Sequence, residues 1–180
     1  MTTTYVALLR GVNVGGKNKL PMKDLKELFV AAGAENVRTY IQSGNVVFEV
    51  DRDASARHAD LITKQIQERL GIRTTLVLRT VEQIEEVLAE NPFLKSGAAV
   101  DELYVAFLAE RPSQERVAAL DPDRSPPDEF VVHGQDIYMR FPNGAGRTKL
   151  TTDYFDSKLR TTSTARNWRT VTKLLEMMEE

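Results

Sequence analysis

The sequence contains 180 residues, of which 42% are hydrophobic and 28% charged, and its formal net charge is −2. A chain of this length forms one large domain or two small ones, and its charge predicts no general attraction to nucleic acid or membranes. It has no cysteine, which excludes disulfides, thiolate metal sites and cysteine nucleophiles. It has only two histidines, His58 and His133, which disfavours a histidine-based metal site. Both are expected to be solvated, and we assign no metal site and no cofactor.

The N-terminal residues lack the basic region and apolar stretch of a signal peptide. No segment approaches the roughly 20 apolar residues of a membrane span. We therefore expect a cytoplasmic protein without a membrane partner. The sequence does not indicate an oligomeric state.

The first half of the chain predicts strands and helices in a recognisable order. A buried strand covers residues 5–9, and Pro21 opens a helix whose apolar residues fall at helical spacing before Gly33. Two strands, 37–41 and 46–50, flank a tight turn. A helix over 53–70 and a strand over 74–78 follow. This is the ferredoxin-like β-α-β-β-α-β order, and we assign it to residues 1–79.

The second half, residues 80–180, predicts a less regular α+β unit. Its elements are a helix at 81–89, a strand at 103–108, a short helix at 113–120, a hairpin of strands 130–132 and 137–141, and helices at 148–159 and 165–178. The predicted fold class is therefore α+β with two subdomains. Residues 80–130 carry twelve acidic and four basic residues, whereas 140–173 carry eight basic and two acidic. Basic segments of this kind are either solvated faces or ligand surfaces.

A glycine-rich basic loop, Arg10 to Leu20, follows the first strand. It contains G-x-x-x-x-G-K, the core of a phosphate-binding loop, but Asn18 replaces the magnesium-binding Ser or Thr and Pro21 delays the helix. A nucleoside-triphosphatase is therefore not favoured. The glycines still allow backbone N–H groups to approach an anion, and Arg10, Lys17 and Lys19 add positive charge to the loop. The alternative is a surface turn whose glycines serve only backbone geometry. The candidate ligand-binding residues in this loop are Arg10, Gly11, Asn13, Gly15, Gly16 and Lys17.

The predicted topology brings further polar residues to this loop. In the split unit the third strand lies between the first two, so the exit of the first strand, the hairpin turn and the entry to the fourth strand share one end of the sheet. Gln42, Ser43 and Asn45 are therefore expected beside the loop, with Arg73 nearby. Ser43 has no evident histidine or carboxylate partner, so it is not assigned as a nucleophile.

Two further candidates lie in the second half. Residues 140–150 match residues 10–20 at five of eleven positions without gaps, which indicates either chance or duplication, and they contribute Arg147 and Lys149. Thr164 predicts an N-cap for the last helix, whose first turn carries Arg166, Asn167 and Trp168. Free N–H groups at a helix start attract anions, and a tryptophan either stacks on a base or packs in the core.

Three stretches carry a family resemblance: residues 7–16 (ALLRGVNVGG), 39–48 (TYIQSGNVVF) and 164–168 (TARNW). They resemble the bacterial family called domain of unknown function 1697, and the similarity extends over essentially the whole chain. The resemblance implies two α+β subdomains, the first ferredoxin-like. It implies no activity, substrate or cofactor.

Three functions fit these observations. The first is binding of a phosphorylated or otherwise anionic ligand, such as a nucleotide or a nucleic-acid segment, through the basic glycine loops. The second is an enzyme acting on a small anionic substrate, with Asp24, Glu49 or Asp153 as acid or base. The third is a protein-interaction module that uses its oppositely charged segments.

Overall fold

Two four-stranded antiparallel sheets form the framework of the chain. A computed structural model describes residues 1–180. One compact unit comprises Met1–Glu85 with Leu174–Glu180, and the other comprises Glu86–Lys173. The expected α+β class with two units is confirmed. The predicted boundary between residues 79 and 80 remains a prediction.

The first unit has the predicted ferredoxin-like order. Its elements are β1 (Thr2–Leu9), α1 (Met22–Ala31), β2 (Glu35–Tyr40), β3 (Asn45–Asp51), a 3-10 turn (Arg52–Ala54), α2 (Ser55–Leu70) and β4 (Leu76–Thr80). The strands lie in the order β2-β3-β1-β4, and all neighbours are antiparallel. The central strand β1 therefore pairs along both of its edges.

The core of this unit follows from the two periodicities of its elements. Alternate residues of β1, including Ala7 and Leu9, face the helices and are fully buried. Phe29 of α1 and Ile62 of α2 meet them from the helical side and are also fully buried. Burial of each large apolar side chain contributes about 1.5–3 kcal/mol. This packing fixes the direction of β1 and with it the position of the loop that leaves its end.

The remaining elements follow in sequence from the end of β4. They are α3 (Val81–Ala89), α4 (Pro92–Lys95), a 3-10 turn (Val100–Glu102), β5 (Leu103–Leu108), α5 (Gln114–Ala118), β6 (Glu129–His133), β7 (Asp136–Arg140), α6 (Thr152–Leu159), β8 (Ser163–Asn167) and α7 (Trp168–Glu179). The second sheet has the order β6-β7-β5-β8, again antiparallel throughout. None of the helices is both long enough and apolar enough to cross a bilayer.

The second sheet repeats the first strand for strand. Elements β5 to β8 occur in the same β-α-β-β-α-β order and occupy the same sheet positions as β1 to β4. The registers also correspond, since Val6 pairs with Arg79 and Val105 pairs with Arg166. Residues 5–9 (YVALL) and 104–108 (YVAFL) agree at four of five positions. The second unit is therefore an α+β unit, as the sequence predicts, and it is more regular than expected because it is also of the split type.

The strand β8 explains this difference, because the local sequence pattern predicts a helix over most of its residues. The helix predicted from Ala165 begins at Trp168, and residues 163–167 pair with β5 along its edge. The side chain of Asn167, not of Thr164, caps the helix by accepting from Thr170 N at 2.8 Å. Tertiary pairing overrides the local helix signal here. Likewise, the helix predicted from Thr148 begins only at Thr152.

The equivalent edge strands β4 and β8 each bury an arginine, 4% exposed at Arg79 and 8% at Arg166. Arg166 Nη1 donates to Thr164 Oγ1 at 2.7 Å and to the Ala165 carbonyl at 2.8 Å, and burial lowers the pKa of Arg166 to about 10. Arg79 Nη1 donates to the Leu78 carbonyl at 2.9 Å. These contacts give both arginines a scaffold role within their strands.

His58 lies in the core, so the expectation that it is solvated is wrong. It is 8% exposed, its ring centroid lies 6.4 Å from that of Phe48, and its Nε2 atom is buried without a hydrogen-bond partner. Burial lowers the pKa of His58 below its usual value. An uncharged imidazole is therefore favoured in the folded protein.

Folding stability should consequently fall in mild acid. In the unfolded chain His58 becomes protonated near pH ~6.5, whereas in the folded chain it becomes protonated only at a lower pH. The free energy of unfolding therefore decreases as the pH falls below about 6.5. Urea unfolding at pH 7.5 and 5.5 measures this difference. His58→Leu should reduce it, while His133→Leu at the exposed histidine should leave it unchanged. An equal response of both variants would contradict the assignment.

Candidate functional site

Three loop segments meet at one end of the first sheet, as the predicted topology requires. Leu9 N donates to the Gly44 carbonyl at 2.9 Å, which joins the end of β1 to the β2–β3 turn. Arg10 N donates to the Thr75 carbonyl at 3.0 Å, and Thr74 Oγ1 donates to the Arg10 carbonyl at 2.8 Å. The glycine loop is thereby held between the β2–β3 turn and the entry to β4.

The tip of the glycine loop is a small hairpin. Val14 pairs with Lys17, and Gly15 and Gly16 between them have φ values of 58° and 74°. Two consecutive positive φ angles define the tight turn that favours Gly-Gly. Lys17 N donates to the Val14 carbonyl at 3.0 Å, while the N–H groups of the two glycines make no hydrogen bond within the protein. They remain available to an external acceptor.

Asn13 is a clamp at the base of this hairpin and not a free ligand group. Its Nδ2 donates to the carbonyls of Leu20 at 2.8 Å and Gln42 at 2.7 Å, and its Oδ1 accepts from Leu20 N at 2.8 Å. These bonds join the two ends of the loop and fasten it to the β2–β3 turn. Asn18 Nδ2 adds a further bond to the Gly11 carbonyl at 3.0 Å.

The polar residues of the β2–β3 turn are also used internally. Asn45 is fully buried, and its Nδ2 donates to the Tyr40 carbonyl at 3.0 Å and to Ser43 Oγ at 2.9 Å. Gln42 is exposed beside them. Of the amides and hydroxyls predicted at this site, Gln42 is thus the side chain left at the surface.

The charged residues of the three segments all have the same sign. Residues 10–20, 41–45 and 71–75 contain Arg10, Lys17, Lys19 and Arg73 and no aspartate or glutamate. Lys17, Lys19 and Arg73 are exposed, and Arg10 is partly exposed. We call these four residues with the Gly15–Gly16 turn the cationic sheet end. Arg73 also lines a concavity of about 480 Å³ with Thr63, Lys64, Gln67 and Thr74.

The equivalent end of the second sheet differs in both length and charge. Residues 109–113 follow β5 there, in place of residues 10–21 after β1. The corresponding segments carry Arg111 and Arg160 but also Glu110 and Asp136, so their charges balance. By register, Asp136 stands where the first unit has Asn45. The fold itself therefore requires neither the long glycine loop nor the cluster of cations.

The second basic loop occupies a different place in its unit. Residues 140–150 begin at the last residue of β7, which corresponds to β3, so their match to residues 10–20 is not a product of the duplicated fold. Asn143, Gly144, Arg147 and Thr148 line a concavity of about 370 Å³ together with residues 125–128. We call this concavity the proline-loop pocket. Lys149 is exposed at its border.

The third group of sequence-predicted residues is mostly buried. Trp168 is 5% exposed and Arg166 is 8% exposed, so neither presents its side chain to solvent. Asn167 is exposed at the end of β8 and caps α7. These side chains serve the strand and the helix start.

Comparison with known proteins places the chain in a family. Residues 1–138 match the family described as protein of unknown function (DUF1697). The chain belongs to this family. Of the three resembling stretches, residues 164–168 lie beyond the matched part. No curated protein matches the chain.

A solved structure shares the fold over the full length. The conserved bacterial protein SP0830 from Streptococcus pneumoniae is 23% identical, with a TM-score of 0.75, and the match covers 99% of each chain. This similarity shows a shared fold. It assigns no ligand to either.

Sequence reasoning did not identify Lys64, Ser125, Asp128 and Thr148 as residues of these concavities. Lys64 lies one helical turn from Gln67 and Glu68, a pattern typical of any solvated helix face. Ser125 and Asp128 belong to a segment whose prolines predict only a rigid turn. The chain positions alone gave no reason to join that segment to residues 143–148.

Gly44 should be the glycine of the three loop segments that tolerates substitution least. Its φ is 83°, and a Cβ atom there would lie 2.7 Å from Val12 Cγ2 and 2.8 Å from Leu9 Cβ. Gly44→Ala should therefore cost both backbone strain and overpacking, about 2–4 kcal/mol in urea unfolding. Gly134 lies in the equivalent turn with a φ of 61°, and a Cβ atom there would meet no other atom within 4 Å.

Gly134→Ala is the matched control, because it carries the positive φ without the close contacts. It should cost about 1–2 kcal/mol. Equal losses for the two variants would show that the contacts of Gly44 do not hold the turn against β1.

Proposed function

We propose that the protein binds a phosphate-bearing anion, such as a nucleotide or a nucleic-acid segment, at the cationic sheet end. The observation that carries this proposal is the concentration of four cations and no carboxylate in three segments that hydrogen bonds bring together. Like charges held close together repel one another, and a bound anion relieves that repulsion. Phosphate oxygens suit both guanidinium and ammonium donors.

The glycine hairpin adds donors that carry no side chain. The N–H groups of Gly15 and Gly16 lie two and one residues before Lys17, and a Cβ atom added at either glycine would meet no other atom within 4 Å. Successive unbonded N–H groups form the kind of surface that binds phosphate oxygens. Asn13 supports this role because its three hydrogen bonds limit the motion of the loop base.

Binding without catalysis is the simpler interpretation of this site. The three segments contain no carboxylate and no histidine, so they supply no evident general base. Glu49 stands four residues beyond Asn45 along β3, which corresponds to about 13 Å. At that distance Glu49 is too far along the strand to act as a general base at the β2–β3 turn. Asp153 belongs to the second unit.

A direct test is calorimetric titration with tripolyphosphate and ATP at low ionic strength. The double variant Lys17→Ala/Lys19→Ala should bind about tenfold more weakly, a loss of ~1.4 kcal/mol. The affinity of the wild type should fall with added salt, and the variant should show a smaller dependence on salt.

The matched control removes two exposed cations from the second unit, Arg111→Ala/Lys158→Ala. This variant has the same net charge as the first and should bind like the wild type. The proposal fails if neither probe binds at low salt. It also fails if both double variants weaken binding equally, because that result would indicate general charge attraction.

A further inference from the structure

The proline-loop pocket is built from two loops that are hydrogen-bonded to each other. Lys149 N donates to Ser125 Oγ at 3.0 Å, and Arg124 Nε donates to the Lys149 carbonyl at 2.9 Å. The Arg124 guanidinium also lies 4.0 Å from the centroid of the Tyr154 ring. These contacts fix the walls of the pocket relative to each other, and a preformed site lowers the entropic cost of binding.

One wall presents an oriented carboxylate. Ser125 Oγ donates to Asp128 Oδ2 at 2.9 Å, and Asp128 N donates to the Ser125 carbonyl at 2.8 Å. These two bonds set the position of the carboxyl group. Its other oxygen, Oδ1, makes no hydrogen bond within the protein and can accept from a ligand.

The other wall presents a guanidinium that has no partner. Arg147 makes no hydrogen bond or ion pair within the protein, although Asp128 lines the same concavity. The Thr148 hydroxyl accepts from Leu150 N at 3.1 Å and keeps its own proton to donate. The pocket therefore holds a positive and a negative group that form no ion pair with each other.

We propose that the proline-loop pocket binds a small zwitterion of the α-amino acid class. The ligand carboxylate pairs with Arg147 and accepts from Thr148, while the ligand ammonium donates to Asp128. The concavity of about 370 Å³ is large enough for a ligand of this size. This site lies in the second unit and stands independently of the anion site proposed for the first.

The alternatives each leave one charge of the pocket unsatisfied. A simple anion on Arg147 would lie in a pocket that also holds the Asp128 carboxylate, which disfavours it. A simple cation on Asp128 would meet the Arg147 guanidinium in the same way. A ligand that carries both charges satisfies both walls, and charge-assisted hydrogen bonds of this kind are the stronger ones.

The test is a thermal-shift screen of the full chain against each of the twenty protein α-amino acids at about 10 mM, which detects affinities down to the millimolar range. Each hit is titrated by calorimetry. We expect at least one amino acid to bind, and Asp128→Asn and Arg147→Gln should each weaken it about tenfold or more. Glu115→Gln and Arg116→Gln, exposed positions on α5, are the matched controls and should bind normally.

A second probe separates the zwitterion from a plain anion. The carboxylic acid that lacks only the amino group of the hit should bind the wild type more weakly and should not be weakened by Asp128→Asn. The proposal is overturned if none of the twenty amino acids binds. It is equally overturned if Asp128→Asn leaves the affinity for the hit unchanged or increases it, since the pocket would then be a site for anions.

Discussion

The pairing of β1 along both of its edges is the constraint on which the first site depends. Because β3 and β4 run antiparallel to β1, the turn before β3 and the entry to β4 must lie where β1 ends. A loop that leaves β1 there is bounded on two sides by backbone. Arg10 to Leu20 fills that place and is fastened through the bonds of Arg10, Asn13 and Thr74. Cations distant in sequence are thereby collected on one surface.

The repeated fold supplies an internal comparison that separates framework from function. In both sheets a buried arginine of the fourth strand pairs with a valine of the first strand, Arg79 with Val6 and Arg166 with Val105. What the two units share in this way belongs to the fold. They differ in the length of the loop after the first strand, in the sign of the charges beside it and in the loop that follows the third strand. The two proposed sites both lie among these differences, where selection for folding alone gives no reason for them.

The sequence predicts the first unit well because its signals are local and agree with one another. Periodicity, Pro21 and Gly33 define α1, and the split order then determines which loops meet. The prediction for the second unit is wrong at one short strand, because residues 163–167 carry a cap signal and no alternation of apolar residues. Their pairing with β5 is a long-range contact, which local patterns do not encode. The near-identity of residues 5–9 and 104–108 is the one sequence feature that indicates this strand. It suggests that β5, like β1, is a central strand, and a central strand pairs with a neighbour along each of its two edges.

The candidate site could be located from sequence, but the roles of its short polar residues could not. Asparagine and serine hydrogen-bond readily to nearby backbone, and whether they do so depends on distances of less than an ångström that the sequence does not specify. Asn13, Ser43 and Asn45 therefore support the loop, while Lys17, Lys19 and Arg73 of the same segments extend their long side chains to the surface. The same division recurs in the proline-loop pocket, where Ser125 and the Lys149 backbone hold the walls and Arg147 is left unpaired. In both proposed sites, short polar groups hold the loop in place and leave a longer charged group for the proposed ligand.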